Sequence, residues 1–196
     1  VNGTSVGFDY RLQHGDHISV YPVFESLDIS PVIRLRAQPL RETTFILDVH
    51  LGKLARLLRM LGFDTLYRND YDDPEIIALA LRHQRIILTL DRGILKHSAV
   101  THGYWIRSAS AREQVREVLE RFDLFSQIQP FQRCIPCNGI IQSIDKSIII
   151  CRLLPKTAQY YEEFCQCSSC QKLYWKGPHY QKMHQFIQEL VPQKHR

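Results

Sequence analysis

Phe45-Ile46-Leu47-Asp48 and Ile86-Ile87-Leu88-Thr89-Leu90-Asp91 are two short apolar runs that each end on an aspartate. Between them, Thr65-Leu66-Tyr67 leads to Asp70, Asp72 and Asp73, and helical patterns separate the three runs. Continuous apolar runs that alternate with helices predict parallel strands joined by crossovers. In an open parallel sheet the carboxyl ends of the strands share one edge, where ligand sites form. Carboxylates gathered there repel one another unless a cation neutralises them, and an all-oxygen site suits Mg²⁺ or Mn²⁺. The pattern predicts a metal-dependent phosphodiesterase.

The intervening segments support this α/β reading. Leu51, Leu54, Ala55, Leu58 and Leu61 recur at helical spacing after Asp48, and Gly62 supplies the stop. A second strand covers residues 64–67. Pro74 suits a first helical turn, so a helix starts at Asp73 and runs to about residue 83. A fourth strand, Tyr104-Trp105-Ile106, precedes the capping-box pattern Ser110-x-x-Glu113, with Val115, Val118, Leu119 and Phe122 on one helical face. Right-handed crossovers then give a parallel sheet flanked by helices over residues 43–127.

With 196 residues, 44% hydrophobic and 23% charged, the chain is globular rather than disordered or membrane-embedded. No apolar stretch approaches a bilayer span and no secretory signal is visible. The chain begins at Val1 rather than Met, so a missing native start is expected. A net charge of +5 and a pI near 8.9 are compatible with an anionic partner such as RNA.

Four of the six cysteines form the pairs Cys134-x-x-Cys137 and Cys167-x-x-Cys170. Without secretory context such pairs predict zinc rather than disulfides, and a cytoplasmic location. Two knuckles at this separation match a four-cysteine zinc ribbon. Four thiolates leave the metal no open position, so this zinc is expected to be structural. Gly139 suits the tight turn after the first knuckle, while Cys151 and Cys165 are expected as buried, unligated thiols. Within residues 128–196, Ile148-Ile149-Ile150 predicts a β-rich run, followed by a short helix near 157–164 and a final helix over 180–190.

Residues 1–42 read as a separate segment with a linker. Gly15-Asp16 is a turn signal, Ile18-Ser19-Val20-Tyr21-Pro22-Val23 a short strand, and residues 34–41 a basic linker. The Gly-Asp-x-Ile-Ser-Val-Tyr-Pro run resembles the C-terminal half of a ubiquitin-like β-grasp domain. Sulfur-carrier relatives end in a free Gly-Gly tail, whereas this chain continues, which argues against a carrier role. The segment is expected to pack on its neighbour or to bind a protein partner.

Each candidate residue also has a purely structural reading. Asp48, Asp73 and Asp91 could be helix caps or turn residues; that three independent strand-to-helix junctions each place Asp on one edge favours joint catalysis. Asp72 is a supporting group, and either Asp70 or Asp72 could supply a fourth carboxylate. Arg92 could stabilise phosphate charge or pair with a neighbouring carboxylate, the second being favoured. Lys53, Arg56 and Arg59 form a basic helix face beside Asp48 that could contact a nucleic-acid backbone or simply be solvated. Lys172, Tyr174, Trp175, Lys176, His179 and Tyr180 interleave bases and aromatics, as surfaces that stack unpaired bases do. Tyr174 and Trp175 could equally be the ribbon's small core.

With these residues in view, residues 44 to about 185 resemble the Mut-seven C-terminal RNase family, a PIN-like nuclease domain with an appended zinc ribbon. The resemblance lies in Phe45-Ile-Leu-Asp48, Leu51-Gly-Lys-Leu-Ala-Arg-Leu-Leu-Arg-Met-Leu-Gly62, Asp72-Asp-Pro-Glu-Ile76, Leu88-Thr-Leu-Asp-Arg92, Arg133-Cys-Ile-Pro-Cys-Asn-Gly139, and Cys167-Ser-Ser-Cys170 followed by Tyr174-Trp175. It implies a PIN-like parallel sheet, a divalent-metal site at Asp48, Asp73 and Asp91, and RNA cleavage. The chain departs from the family at Val49, where relatives commonly carry an acidic residue.

Together these readings predict a divalent-metal-dependent ribonuclease acting on single-stranded or tRNA-like RNA, with the ribbon helping to dock it. The rivals are a non-catalytic RNA-binding zinc-ribbon module and a toxin-like protein regulated by a partner.

Overall fold

Phe45, Ile46 and Leu47 are wholly buried and form β1 (Phe45–Leu47), the strand on which the rest of the sheet is assembled. In a computed structural model that describes residues 1–4, 6, 7, 9–19 and 43–190, β1 pairs in parallel with β2 (Thr65–Leu66) on one side and β3 (Ile86–Thr89) on the other. β4 (Gly103–Trp105) adds in parallel to β3, giving the order β2-β1-β3-β4. The chain steps from β1 to β2 in one direction and then crosses to β3 on the far side of β1. That reversal is a topological switch point, the place where open parallel sheets bind ligands at the carboxyl ends of their strands.

Because side chains alternate across a strand, the apolar runs serve two layers. Phe45, Leu47, Ile86 and Leu88 face α1 (Gly52–Met60) and α4 (Ala111–Arg121), packing with Leu54, Leu58, Val115 and Val118. Ile46 and Ile87 face α2 (Asp73–Arg82) and α3 (Arg92–Leu95), packing with Ile76, Ile77, Ala80 and Ile94. Ser110 and Glu113 close the expected capping box on α4. The parallel sheet flanked by helices is thus as the sequence predicts.

The cysteine-bearing segment forms a second, antiparallel sheet of β5 (Ile141–Ile144), β6 (Phe164–Cys167) and β7 (Leu173–Trp175). Ile148-Ile149-Ile150 departs from its β-rich expectation. Asp145 caps α5 (Lys146–Ile149) by accepting from the Ser147 N–H at 2.7 Å, and a 3-10 turn over Ile150–Arg152 follows. A local cap and turn override the β-branched propensity there. The next helix, α6 (Pro155–Tyr160), ends before Phe164, which opens β6 instead. Cys151 is exposed and Cys165 half-buried, against the expectation that both are buried. The final helix, α7 (Pro178–Leu190), places Ile187 and Leu190 in the same core as Phe45 and Leu58.

The two sheets belong to one compact unit, residues 44–196, and polar side chains join them. Arg59, only 4% exposed, donates from Nε to the Thr65 carbonyl at 2.9 Å and from Nη1 to the Ile135 and Pro136 carbonyls at 3.0 and 2.8 Å. It is therefore a buried structural cation, and the expected solvated face of α1 is limited to Lys53 and Arg56. Gly62 ends α1 at φ +100°, and a Cβ there would fall 2.2 Å from the Gln129 carbonyl oxygen. That close approach lets Gln129 and Phe131 donate to the Leu61 and Met60 carbonyls.

Residues 1–43 form the other unit. The predicted turn at Gly15-Asp16 is present, and Asp16 accepts from the Gln13 N–H at 2.7 Å and from Asn2 Nδ2 at 2.9 Å. Ile18 and Ser19 are not in a strand; the remainder of the predicted strand and the basic linker lie outside the described residues. Among the described residues no helix is long and apolar enough to cross a membrane.

Asp64 lies at the join between the sheets, accepting from Arg85 Nη1 at 2.6 Å and Asn138 Nδ2 at 2.9 Å and pairing with Arg133 at 3.1 Å. Burial pushes its carboxyl up, but the hydrogen bonds from Arg85 and Asn138 and the charges of Arg85 and Arg133 outweigh this and hold it below its ordinary value. A depressed folded-state value stabilises the fold above the unfolded Asp pKa of about 3.9, and the gain is lost as pH falls through the folded value. Asp64→Asn is expected to destabilise the protein by on the order of 2 kcal/mol near neutrality. In thermal melts from neutral to acid pH, the gap between variant and parent should close as Asp64 protonates; a gap independent of pH would contradict the ionic role.

Candidate functional site

The switch point is occupied by Asp48, which follows β1 directly and is 5% exposed. Its Oδ1 accepts from the His50 N–H at 2.8 Å, capping the 3-10 turn Val49–Leu51. Its Oδ2 accepts from Thr89 Oγ1 at 2.5 Å and from the Leu90 N–H at 2.8 Å, both just beyond the β1–β3 pairing. None of the ion pairs among the described residues involves Asp48. A buried carboxylate is costly unless it is paired or coordinates a metal. The three hydrogen bonds offset part of that cost without neutralising the charge.

Thr89 carries the link onward. Its hydroxyl also accepts from the Asp91 N–H at 2.8 Å, so one buried oxygen joins the Asp48 carboxylate to the Asp91 turn. Asp91 caps α3 by accepting from the Gly93 N–H on Oδ1 at 2.7 Å, and it is exposed. Thr89 has no role in the reading of the sequence. Its only signal there is a hydroxyl at the end of an otherwise apolar strand.

Asp72 rather than Asp73 is the cap of α2, accepting from the Glu75 N–H at 2.8 Å. Asp73 is the first helical residue, exposed. The loop from β2 delivers both to the carboxyl edge of the sheet. Asp70 is engaged in an exposed ion pair with Arg68 at 2.5 Å. Among the described residues these acids do not converge into a compact group of three or more metal ligands. At Val49 the side chain offers no ligand atom, and its carbonyl accepts from the Tyr67 hydroxyl at 3.0 Å.

The predicted basic contacts divide. Lys53, Arg56 and Lys172 are exposed. Lys176 pairs with Glu163 at 2.6 Å. Trp175 is 39% exposed and packs at 6.4 and 6.5 Å from the Tyr161 and Phe164 rings, while Tyr174 OH lies 3.1 Å from Cys134 Sγ. The aromatics thus help build the ribbon. Arg92 departs from the expected carboxylate pair: its guanidinium lies 3.6 Å over the Trp105 ring.

Cys134, Cys137, Cys167 and Cys170 bring their sulfurs within 4.8 Å of one another, a group that could hold a metal ion. The Cys134–Cys170 and Cys137–Cys167 separations are 3.5 and 3.4 Å. Zn–S bonds of about 2.3 Å in a tetrahedron require sulfurs roughly 3.8 Å apart, so the set fits zinc. Burial pushes the Cys167 thiol up, but N–H groups of Cys170 and Ser169 directed at its sulfur prevail and bring it down to about 6. The two knuckles are alike: the residue after each second cysteine, Asn138 and Gln171, has positive φ (+68° and +59°). The turn therefore falls on Asn138, whose side chain also accepts from the Thr65 N–H at 3.0 Å. Gly139 is needed for proximity instead, since a Cβ there would lie 2.8 Å from Cys167 Sγ and 2.5 Å from Ser169 Oγ.

Comparison with known proteins agrees with this architecture. The family model described as the Mut7-C RNAse domain matches residues 43–187, and that described as Mut7-C ubiquitin matches residues 1–28. No curated protein and no solved structure matches the chain.

The crowding at Gly139 yields a direct test. Gly139→Ala forces the two knuckles apart and should weaken zinc binding at least about tenfold, the scale seen when groups supporting metal ligands are lost. Competition with a chromogenic chelator measures this; parental affinity would show that the approach of the knuckles is not needed.

Proposed function

The chain belongs to the Mut7-C RNAse domain family, and from that premise we propose that it is a divalent-metal-dependent ribonuclease with a PIN-like catalytic sheet. The observation that carries the proposal is the buried Asp48 carboxylate, which has no cationic partner among the described ion pairs and sits at the switch point of a parallel sheet. Asp48, Asp91 and Asp73 would hold Mg²⁺ or Mn²⁺, with Asp72 supporting Asp73 at the start of α2. Asp48 Oδ1 has one protein donor and Asp91 Oδ2 has none among the described hydrogen bonds, so hard oxygen ligands remain available. A divalent cation bound there supplies Lewis-acid stabilisation of the phosphodiester and an activated water.

The chain's own residues set the geometry for in-line attack. Thr89 and the Leu90 N–H fix the Asp48 carboxylate, and the Thr89 hydroxyl holds the Asp91 turn beside it. Lys53 and Arg56 offer exposed charge to the RNA backbone from the helix that follows Asp48. The cysteine cluster holds structural zinc, and with Lys172, Trp175 and Lys176 the ribbon contributes to docking RNA. The N-terminal segment, whose residues 1–28 match the Mut7-C ubiquitin model, is suited to a protein partner, and the enzyme acts in the cytoplasm.

A labelled single-stranded RNA and a folded tRNA, incubated with Mn²⁺, Mg²⁺ or EDTA, provide the test. Metal-dependent cleavage is expected from the parent. Asp48→Asn and Asp91→Asn, folded and zinc-loaded, should each lose on the order of a hundredfold or more in rate, the scale of electrostatic groups at a reacting centre. Equal cleavage by all three proteins would contradict the acidic site. Absence of cleavage with salt-sensitive RNA binding retained would favour a non-catalytic RNA-binding module, in which Asp48 only caps its 3-10 turn and ties β1 to β3.

A further inference from the structure

Trp105 lies opposite Thr89 in the β3–β4 register, so it borders the end of β3, where Thr89 donates to Asp48 and the Asp91 turn begins. The indole is fixed there: Nε1 donates to the Leu90 carbonyl at 3.1 Å. Two guanidinium groups accompany it, Arg92 at 3.6 Å and Arg107 at 5.6 Å from the ring centroid. Both arginines are exposed, and neither takes part in an ion pair among the described residues. The nearby carboxylate of Glu117 is committed elsewhere, accepting from the Tyr104 hydroxyl and from the backbone N–H groups of Arg107 and Ser108.

An aromatic ring held by its own N–H carries two guanidinium groups that no carboxylate among the described residues compensates. The Arg–Trp stack contributes only about 0.5–1 kcal/mol at an exposed site. It does keep the Arg92 guanidinium oriented with its N–H groups available to oxyanions. Indole and guanidinium planes also stack on nucleobases, which requires bases freed from a duplex.

We propose that Trp105, Arg92 and Arg107 form the seat for a single-stranded RNA segment, the guanidinium groups gripping phosphates and the Trp105–Arg92 stack receiving an unpaired base next to Asp91. The seat rests on the ribonuclease reading for its role in cleavage, but strand binding is tested separately from catalysis. It explains why Arg92 follows Asp91 without pairing to a carboxylate among the described residues. It also assigns a role to Trp105 and Arg107, which the motif reading leaves unused.

The test is fluorescence anisotropy of a labelled single-stranded RNA and its duplex form, titrated with zinc-loaded full chain at several salt concentrations without Mg²⁺ or Mn²⁺. Arg92→Gln/Arg107→Gln should weaken single-strand binding about tenfold. Each lost phosphate contact should also flatten the salt dependence by about 0.7 in the slope of log K against log salt. Trp105→Phe keeps the packing and should lose less; melting temperature and zinc content verify the fold of every variant. In Trp175→Phe, Trp105 is the sole tryptophan, and its emission should be quenched by single-stranded RNA. Unchanged affinity and slope, or unaltered Trp105 emission at saturation, would overturn the proposal. So would equal losses on duplex, or competition by polyglutamate as effective as by RNA. Loss of single-strand binding in the double variant upholds the seat even if the parent cleaves nothing, so its failure and that of the ribonuclease reading are separable.

Discussion

The rest of the structure depends on one buried anion. Asp48 leaves the central strand, caps the turn that launches α1, and receives the Thr89 hydroxyl and Leu90 N–H from the neighbouring strand. These bonds span the point where the chain reverses its direction across the sheet. β1 and β3 cannot shift register without stranding a carboxylate in an apolar layer, a loss that costs several kcal/mol. The same arrangement that anchors the fold leaves a buried carboxylate at the switch point with no basic side chain paired to it among the described residues. Stability alone does not require that, since an apolar pair would bury better.

The second constraint is the polar joint between the sheets. Arg59 supplies donors to backbone carbonyls of β2 and of the first cysteine knuckle, while Asn138 and Arg133 reach back to Thr65 and Asp64. These bonds tie the first cysteine knuckle to the amino end of β2, and β2 leads to Asp72 and Asp73. A zinc ion held by the four cysteines would therefore act on the acidic edge by fixing the strand that leads to part of it. The docking of Ile187 and Leu190 into the main core closes the same unit after the ribbon.

Much of this was legible from periodicity and spacing. The parallel sheet follows from apolar runs separated by amphipathic helices, and the cysteine cluster from two Cys-x-x-Cys pairs. What escaped were features set by tertiary partners. Arg59 shares its helix face pattern with Lys53 and Arg56, and only the carbonyls of residues 135 and 136 distinguish it as buried. Ile148-Ile149-Ile150 has strand propensity, but the Asp145 cap decides its conformation. Thr89 and Trp105 gain their roles from strand register, which joins residues far apart in sequence. The cap of α2 fell on Asp72 rather than Asp73, a one-residue distinction that only the hydrogen bond to Glu75 resolves.

The central claim is that the acidic edge holds a divalent cation. The most direct measurement is a crystal structure of the zinc-loaded protein soaked in Mn²⁺, with anomalous differences recorded near the manganese edge. An anomalous peak ligated by Asp48 and Asp91 is expected, with the Asp48–Thr89 hydrogen bond retained. Crystals saturated in Mn²⁺ whose only anomalous peak is the zinc among the four cysteines, with Asp48 still held by its three protein donors, would contradict it.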